Sequence, residues 1–264
     1  MLRPRIIPCL LVHKGGLVKT QQFKDPKYVG DPINAVRIFN EKEADELMVL
    51  DIDATANKVE PDFSLIVKLA AECRMPLCYG GGVTTAEQAA RIVDMGVEKV
   101  AVSAAAINNP SLLTEMAAAV GRQSVVAVLD VRKRSGLFAK GYEVYTHNGK
   151  NSHKLDPLAL AKQLQDAGAG EIVVNSVDRD GQMQGYDLEL AMQFKQGLKV
   201  PVTFLGGAGS LEHLNELVSK LGVVGAAAGS LFVFKGKYRA VLINYPTPEQ
   251  KKLLCQNALK KLKV

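Results

Sequence analysis

Eight short runs of apolar residues recur along the chain, and they are rich in β-branched side chains. They stay apolar almost throughout and do not alternate with polar residues, a pattern typical of strands buried on both faces. The runs are residues 6–12, 47–52, 77–79, 100–102, 125–131, 172–177, 202–205 and 223–228. The pattern therefore predicts eight strands of a largely parallel sheet.

Seven segments between these runs carry apolar residues at spacings of three and four, the pattern of a helix with one buried face. These segments are 33–43, 63–73, 86–95, 112–120, 157–167, 188–194 and 211–221. Residues 84–87 (Thr-Thr-Ala-Glu) predict a capping box at one helix start. Asn109 before Pro110 places a cap residue ahead of a proline at a first helical position.

Strand and helix alternate through the whole chain, which favours a (β/α)8 TIM barrel in the α/β class. A doubly wound parallel sheet is the alternative. The 264 residues suit one barrel domain, and no linker divides them. We therefore expect a single TIM-barrel domain over residues 1–264.

The chain also aligns with itself at half its length. Residues 5–12 lie over 124–131, 45–53 over 170–178, 75–83 over 200–208, and 99–104 over 225–230. Such a repeat predicts two copies of one supersecondary block, here two (β/α)4 halves at about 1–122 and 123–264. It favours closure into a barrel, and it makes Leu11 the equivalent of Asp130.

One connection is longer than the others. Residues 132–154, after the fifth strand, contain Asn148 and Gly149, a pair typical of tight hairpin turns. In barrels of this class the active site lies at the C-terminal ends of the strands. We therefore expect a hairpin on the catalytic side of the barrel.

Composition narrows the possible ligands. The net charge of +6 and the pI of about 9.0 suit anionic small molecules. The chain has no Trp and few aromatic residues, so no nucleic-acid partner is expected. A basic cluster near the C-terminus predicts the solvated face of a final helix. Its members are Lys251, Lys252, Lys260, Lys261 and Lys263.

The four cysteines show no CxxC motif and no metal-ligand spacing, so we expect neither a metal site nor a cofactor. Free cysteines inside apolar strands fit a reducing compartment. No apolar stretch approaches the roughly 18 residues of a membrane span. The N-terminal apolar run is too short for a signal peptide. These features predict a cytoplasmic protein without a membrane partner.

Two glycine-rich turns, residues 80–82 and 206–209, follow the third and seventh strands and precede helix starts. Turns without side chains let phosphate oxygens reach backbone N–H groups, and a helix N-terminus favours the anion. Ser103 and Ser230, after the fourth and eighth strands, add hydroxyl donors. Because the repeat relates the two turns, we predict two phosphate sites across one barrel mouth. Plain tight turns are the alternative.

Three charged residues at this end are candidates for catalysis. Asp130 closes an apolar strand, where a carboxylate is costly without a role, so it is a candidate general acid or base. Lys19, in the loop after the first strand, can neutralise a phosphate or polarise a leaving group. Asp51 can orient Lys19, bind ribose hydroxyls or form a structural salt bridge.

Four charged residues begin strands at the opposite end of the predicted barrel: Arg5, Glu46, Lys99 and Glu171. Their signs alternate along the chain, and charges at the narrow base of a barrel must pair with one another. The residues by themselves favour a structural layer of ion pairs. A gate over a passage is the alternative.

These residues resemble a known family, the cyclase subunit of imidazole glycerol phosphate synthase, along nearly the whole chain. The matching motifs are residues 5–10 (RIIPCL), 30–32 (Gly-Asp-Pro), 45–47 (DEL), 50–52 (LDI), 80–82 (GGG), 170–172 (GEI), 176–186 (SVDRDGQMQGY) and 206–209 (GGAG). The resemblance implies a glutaminase partner at the bottom of the barrel and ammonia passing through it to a bisphosphate substrate. It also makes a gate, or a base that faces the partner, the better interpretation of Arg5, Glu46, Lys99 and Glu171.

The resemblance assigns residues at the mouth as well. It implies phosphate contacts at Gly82, Asp180, Gly181, Gly207 and Ser230. Lys19, Asp51 and Asp130 match active-site positions of the family.

The chain departs from the family at Leu11, which replaces the first catalytic aspartate. Further departures are Ser103, Ala104, Asn175 and Leu205. Leucine cannot transfer a proton, and losing a positioned acid–base group costs roughly 10²–10⁴ in rate. We therefore expect ordinary cyclisation to be crippled.

A paralogous branch of the family fits these departures, because its members carry Cys-Leu-Leu at residues 9–11 and share the motifs at 16–20 and 229–234. The resemblance implies that ammonia forms an acetamidino group on a nucleotide-linked sugar in surface polysaccharide biosynthesis. Asp130 would act alone, or with Asp180 or Asp53. The alternatives are the cyclase of histidine biosynthesis and a non-catalytic barrel that conducts ammonia.

Overall fold

Eight parallel strands close into a barrel in the structure, a computed structural model that describes residues 3–136 and 140–260. They are β1 (Arg5–His13), β2 (Leu47–Asp51), β3 (Leu77–Gly80), β4 (Lys99–Val102), β5 (Val125–Lys133), β6 (Glu171–Ser176), β7 (Val202–Leu205) and β8 (Gly225–Ala228). Each strand pairs in parallel with the next, and β8 pairs with β1 through Gly225 and Arg5. The predicted (β/α)8 TIM barrel is confirmed, and the doubly wound alternative is excluded.

Eight main helices surround the barrel in the described residues. They are α1 (Pro32–Glu41), α2 (Phe63–Glu72), α3 (Ala86–Asp94), α4 (Ser111–Val120), α5 (Pro157–Ala167), α6 (Leu188–Gly197), α7 (Leu211–Leu221) and α8 (Pro248–Lys260). Short helices at Ala54–Asn57, Ala104–Asn108 and Ser230–Val233 and 3-10 turns at Arg122–Ser124 and Val177–Arg179 follow strand ends or precede them. The seven predicted helices are all present.

Polar side chains set where several helices begin. Four aspartates each accept a hydrogen bond from the backbone N–H three residues later, which satisfies a donor that the helix leaves free. These caps are Asp31, Asp62, Asp156 and Asp187. The capping box of α3 joins Thr85 to Gln88. The predicted box at residues 84–87 is therefore wrong by one residue, because the third helical position holds Gln88.

Apolar side chains fill two layers. One lies between the strands and the helices, and along β1 it includes Ile6 and Leu10. The other fills the barrel and consists of Ile7, Cys9, Met48, Cys78, Ala101, Val126, Val128, Val173, Leu205 and Ala227. Both faces of each strand are buried, which explains the near-continuous apolar runs in the sequence.

A hairpin continues from each of the two nine-residue barrel strands, β1 and β5. The first hairpin pairs Gly16–Gln21 with Lys24–Gly30, and the second pairs Tyr142–Thr146 with Asn151–Ser152. The hairpin predicted after the fifth strand is present. The first hairpin was not predicted, and Lys19 lies in one of its strands and not in a loop. The two hairpins occupy equivalent places in the two halves.

The chain after β8 returns to the N-terminal end of the barrel. A two-stranded ribbon, Phe234–Lys235 with Ala240–Val241, leads to α8, which packs on α7. None of the helices in the described part of the chain combines the length and the apolar character that a membrane crossing requires.

The basic cluster near the C-terminus has two environments. Lys251 Nζ donates to a backbone carbonyl beside β2 at 2.8 Å, so this lysine makes a structural contact. Lys252 and Lys260 are exposed, as predicted. Lys261 and Lys263 lie outside the described residues.

Candidate active site at the barrel mouth

A pocket of about 550 Å³ opens at the C-terminal ends of the barrel strands. All the catalytic and phosphate-binding residues expected from the sequence line it: Lys19, Asp51, Gly82, Ser103, Asp130, Asp180, Gly181, Gly207 and Ser230. Residues spread over most of the chain therefore meet at one place. Among the described residues, no group of three or more His, Cys, Asp or Glu side chains is arranged to hold a metal ion.

The glycine turns after β3 and β7 are constrained in the same way. Gly81 has a φ of +123°, and a Cβ there would lie 2.4 Å from the backbone oxygen of Asp51 at the end of β2. Gly206 has a φ of +100°, and its Cβ would lie 2.5 Å from the backbone oxygen of Ser176 at the end of β6. Only glycine fits such positions. The barrel itself therefore requires both glycines, independently of any phosphate.

Polar groups without partners lie beside these turns. Ser103 Oγ is buried and has no hydrogen-bond partner among the described residues. The helices Ala104–Asn108 and Ser230–Val233 begin at the pocket without a side-chain cap. The N–H of Gly82, by contrast, donates to Thr55 Oγ1 at 3.2 Å. An anionic group bound here can satisfy the free donors.

Lys19 and Asp180 form a buried ion pair at the mouth. Asp180 Oδ2 also accepts hydrogen bonds from Thr20 Oγ1 at 2.7 Å and from the N–H of Phe23 at 3.3 Å. A Cβ on the next residue, Gly181, would lie 2.3 Å from the backbone oxygen of Thr20. The segment after β6 thus anchors the first hairpin over the pocket. A carboxylate repels an anion, so a phosphate bound in this part of the pocket would contact Lys19 and not Asp180.

Asp51 lies in a different environment from Lys19. Its Oδ1 accepts hydrogen bonds from the N–H groups of Asp53 at 2.8 Å and Ala54 at 3.1 Å, at the start of the helix Ala54–Asn57. Burial raises the pKa of Asp51 above its ordinary value, against the effect of these two bonds. Lys19 pairs with Asp180, so in this structure Asp51 does not orient Lys19.

Asp130 faces the pocket at the end of β5. Burial raises the pKa of Asp130 to about 6, although a hydrogen bond from Asn175 Nδ2 at 2.9 Å opposes the rise. A carboxyl group with this pKa is present in both protonation states near neutral pH, which suits proton transfer. Leu11 and Leu205 pack against the apolar interior layer and also line the pocket. The pocket wall beside Asp130 is therefore more apolar than it would be with a second aspartate at residue 11.

A histidine that was not predicted as a site residue also lies in this pocket. His13 lines it, with Nδ1 at 2.8 Å from Asp53 Oδ1. The signal was available, because His13 follows Leu11 by two residues and so points to the same side of β1. His147 and Lys150 of the second hairpin also line the pocket. No sequence signal identifies these two, because their position depends on how the hairpin folds back.

The four charged residues at the other end of the barrel form a closed ring of ion pairs, here named the base ring (Arg5, Glu46, Lys99 and Glu171). Arg5 contacts both glutamates, and Lys99 Nζ lies 2.8 Å from each of them. The two glutamates are buried, and the two cations are partly exposed. Thr203 Oγ1 donates to Glu171 at 2.5 Å. Positive and negative charges therefore alternate around the base.

Electrostatics keeps the base ring ionised. Burial opposes ionisation of Glu171, but Arg5 and Lys99 outweigh it and lower its pKa to about 2. Burial likewise opposes the charge of Lys99, and the two glutamates raise its pKa above the ordinary value. Arg5, Lys99 and Glu171 are therefore charged near neutral pH, and Arg5 and Lys99 both contact the two glutamates of the ring.

Comparison with known proteins places this architecture in a family. The chain matches the family described as histidine biosynthesis protein over residues 5–239. A Vibrio vulnificus protein provisionally named imidazole glycerol phosphate synthase subunit hisF3 is 57% identical over 252 residues, 96% of each chain. A Leptospira interrogans protein provisionally named imidazole glycerol phosphate synthase subunit HisF is 56% identical over 254 residues, 96% of this chain and 99% of that protein. A Pseudomonas aeruginosa protein provisionally named imidazole glycerol phosphate synthase subunit hisF2 is 52% identical over 246 residues, 93% of this chain and 97% of that protein. The chain therefore belongs to the histidine biosynthesis protein family, and within it to the cyclase-type subunits of imidazole glycerol phosphate synthase.

Proposed function

We propose that this chain is the synthase subunit of a glutamine amidotransferase, which receives ammonia at the base of the barrel and uses it at the mouth. The observation that carries the proposal is the combination of the base ring at one end with the Asp130 pocket at the other. A glutaminase partner docked at the N-terminal face supplies the ammonia. The names of the relatives, each a synthase subunit, support the existence of a partner.

The interior between the two ends suits neutral ammonia. Its side chains are uncharged, and several are small, among them Cys78, Ala101 and Ala227. An ammonium ion would lose its hydration there at a cost of several kcal/mol. Ammonia has no such charge to desolvate. The ion pairs of the base ring must part for it to enter, which makes the base ring the gate.

The acceptor carries phosphate groups. The pocket volume of about 550 Å³ lies within the range of small-molecule sites. Gly82, Gly181 and Gly207 line the pocket without side chains, and Ser103 and Ser230 offer hydroxyl groups. Lys19 contributes a cation, and the net charge of +6 favours an anionic substrate.

Two classes of acceptor fit this pocket. The names of the relatives favour the bisphosphate that an imidazole glycerol phosphate synthase cyclises in histidine biosynthesis. Leu11 favours a second acceptor, a nucleotide-linked sugar that receives an acetamidino group in surface polysaccharide biosynthesis, because leucine cannot serve the proton transfers of the cyclase. The comparisons support the first acceptor better than the second. The composition of the pocket wall supports the second.

Asp130 is the proton donor when ammonia adds to an unactivated carbonyl carbon, because the carbonyl oxygen must then gain a proton. Where a nucleoside triphosphate has activated the oxygen of an amide, that oxygen leaves with the activating group, and Asp130 protonates the leaving group instead. Asp130, with a pKa of about 6, donates the proton, and Asn175 holds the carboxyl group in place. Lys19 holds a phosphate group away from the reacting carbon.

The test is turnover with ammonium salt and no glutaminase, on the histidine-pathway bisphosphate and on a UDP-linked acetamido sugar. The sugar is assayed with and without a nucleoside triphosphate, because converting an amide into an amidine requires activation of its oxygen. We expect turnover of one acceptor and a loss of roughly 10²-fold or more in Asp130→Asn. Ammonium salt bypasses the partner, so the assay isolates the chemistry of the barrel.

The outcomes separate the alternatives. Bisphosphate turnover near 1 per second or above is ordinary for an enzyme and assigns the histidine role. Turnover of the UDP-linked sugar by the unaltered chain, with bisphosphate turnover that appears only in Leu11→Asp, assigns the sugar role. No turnover of either acceptor contradicts the proposal and leaves the barrel as a conduit for ammonia.

A further inference from the structure

His13 forms an oriented pair with Asp53 at the pocket. His13 Nδ1 lies 2.8 Å from Asp53 Oδ1, and Asp53 Oδ2 accepts a hydrogen bond from the N–H of Lys14 at 2.8 Å. Both carboxylate oxygens are thus held, and they fix the imidazole with Nδ1 as the donor. In the described ranges, 3–136 and 140–260, Nε2 has no hydrogen-bond partner, and His13 lines the pocket.

The position of His13 on β1 places it beside Leu11. Cys9, Leu11 and His13 alternate along the strand, and all three line the pocket. His13 therefore has the orientation of Leu11, one step nearer the open end. The first half of the barrel lacks a titratable group at Leu11 and has one at His13.

The second half of the repeat serves as an internal comparison. The residues equivalent to His13, Lys14 and Asp53 are Arg132, Lys133 and Asp178. The backbone contact is the same, because the N–H of Lys133 donates to Asp178 at 2.8 Å. The side-chain contact differs: Arg132 Nε lies 3.6 Å from Asp178 Oδ1, and neither residue lines the pocket. Arginine does not release its proton. The pairing of this position with the aspartate therefore forms even where the side chain cannot release a proton. His13 makes the same pairing with a side chain that can.

We propose that His13 is the second proton-transfer group of this pocket and works with Asp130 in place of a carboxylate at Leu11. Asp53 is its positioning residue. The proposal rests on the proposed function, namely addition of ammonia to a carbonyl carbon. It gives each half of the barrel a proton-transfer group on its first strand, His13 on β1 and Asp130 on β5.

The proposed step conserves atoms and electrons. The ammonia lone pair forms the C–N bond, and the carbonyl π pair moves to the oxygen. His13 Nε2 takes one proton from the new ammonium group, and the carboxyl group of Asp130 gives one proton to the oxygen. The product is a neutral carbinolamine. His13 is left protonated and Asp130 ionised, and proton exchange with water restores both.

The decisive variant is His13→Asn, assayed with ammonium salt on the acceptor that the unaltered chain turns over. Its side-chain N–H can keep the contact with Asp53, but it has no basic nitrogen. We expect kcat to fall by roughly 10²-fold or more with little change in KM. The kcat of His13→Ala should fall as far, and it should recover in part when imidazole is added. Leu11→Asp should restore activity in the His13→Asn background.

A matched control is His153→Asn, which removes an imidazole that contacts Thr146 and does not line the pocket. It should keep the kcat of the unaltered chain. Full activity of His13→Asn would falsify the role of His13 and leave the proposed function standing. No turnover by the unaltered chain overturns both. Where His13→Asn does not fold, imidazole rescue of His13→Ala decides, and absence of rescue counts against the proposal.

Discussion

At the scale of single residues, Asp130 shows how burial changes the acidity of a carboxyl group. Its carboxyl group closes an otherwise apolar strand, and burial raises its pKa to about 6. The hydrogen bond from Asn175 stabilises the ionised form and limits the rise. A general acid must be protonated to act, so Asp130 becomes less effective as pH rises above its pKa.

We predict that kcat of the ammonium-dependent reaction falls as pH rises through about 6, because Asp130 then loses the proton that it donates. In Asp130→Asn this fall of kcat with pH should be absent, and the residual rate should be roughly 10²–10⁴-fold lower. Steady-state rates between pH 5 and 8 check this. Asp94→Asn, an exposed acid at the end of α3, is the control and should keep the profile of the unaltered chain. If kcat of Asp130→Asn still falls as pH rises through about 6, another group causes the fall.

Two glycines with the same backbone angle separate strain from steric overlap. Gly206 and Gly96 both have a φ of +100°, but a Cβ would lie 2.5 Å from the Ser176 oxygen at Gly206 and 3.7 Å from the nearest atom at Gly96. We predict that Gly206→Ala lowers the free energy of unfolding more than Gly96→Ala, which itself costs more than about 1 kcal/mol. Urea unfolding of both variants measures the difference. Equal losses would show that the end of β6 yields freely.

At the scale of elements, the C-terminal segment ties the start of the chain to its end. Tyr245 lies between the ribbon and α8, and its hydroxyl donates to the carbonyl of Ile6 at 2.8 Å. The same hydroxyl accepts a hydrogen bond from the N–H of Asp45 at 3.0 Å. Asp45 in turn accepts from the N–H of Ile6 at 3.0 Å. These contacts join β1 and β2 next to the base ring.

We predict that Tyr245→Phe lowers the free energy of unfolding by about 1–3 kcal/mol, because it leaves a backbone donor and a backbone acceptor without their partner. Thermal or urea unfolding checks the value. Tyr28→Phe is the control: the side chain of Tyr28 is 65% exposed, and its loss of a hydroxyl should change little. A loss in Tyr245→Phe no larger than in the control would mean that water replaces the hydroxyl.

The first hairpin contains a strand that the pattern of apolar residues does not indicate. Its second strand, Lys24–Gly30, is almost entirely exposed, so it carries no apolar run and no buried alternation. Its pairing with Gly16–Gln21 and the bonds to Asp180 hold it in place. Those bonds come from a residue far along the chain. No local feature of the sequence therefore indicates Lys24–Gly30, the strand that pairs with the Lys19-bearing strand beside the pocket.

At the scale of the whole molecule, the base ring links folding to pH. The pKa of Glu171 is lowered from 4.5 to about 2. A carboxylate with a lowered pKa stabilises the fold fully above its unfolded pKa, and this stabilisation is lost as pH falls through the folded one. The loss is therefore expected between pH 4.5 and 2. Its size is on the order of 3 kcal/mol from the pKa difference.

We predict that the free energy of unfolding of the unaltered chain falls more steeply over this pH range than that of the double variant Glu171→Gln, Lys99→Met. The double variant removes one anion and one cation and leaves Arg5 paired with Glu46. Urea unfolding at several pH values measures the slopes. Glu216→Gln breaks an exposed pair with Lys220 and should alter stability by less than about 1 kcal/mol. Parallel slopes in the unaltered chain and the double variant would place the acid sensitivity elsewhere.

The sequence alone predicted the barrel, and it indicated an internal repeat and two groups of candidate functional residues. Strands buried on both faces must be apolar throughout, and helices on a barrel must be apolar on one side, so these periods are visible without a structure. Strand ends of a parallel barrel share one rim. For that reason Asp130 and Gly207, which are far apart in the chain, could be assigned to one pocket before any contact was seen.

Only the tertiary structure decided which of these residues contact one another. Lys19 pairs with Asp180 and not with Asp51, and His13 pairs with Asp53. Such contacts depend on distances of a few ångströms between side chains from different strands. Periodicity identifies the face on which a residue lies but carries no information on these distances, because rotamers and hairpin geometry are set by packing across the whole barrel. The chemistry of the pocket is therefore a property of the closed fold.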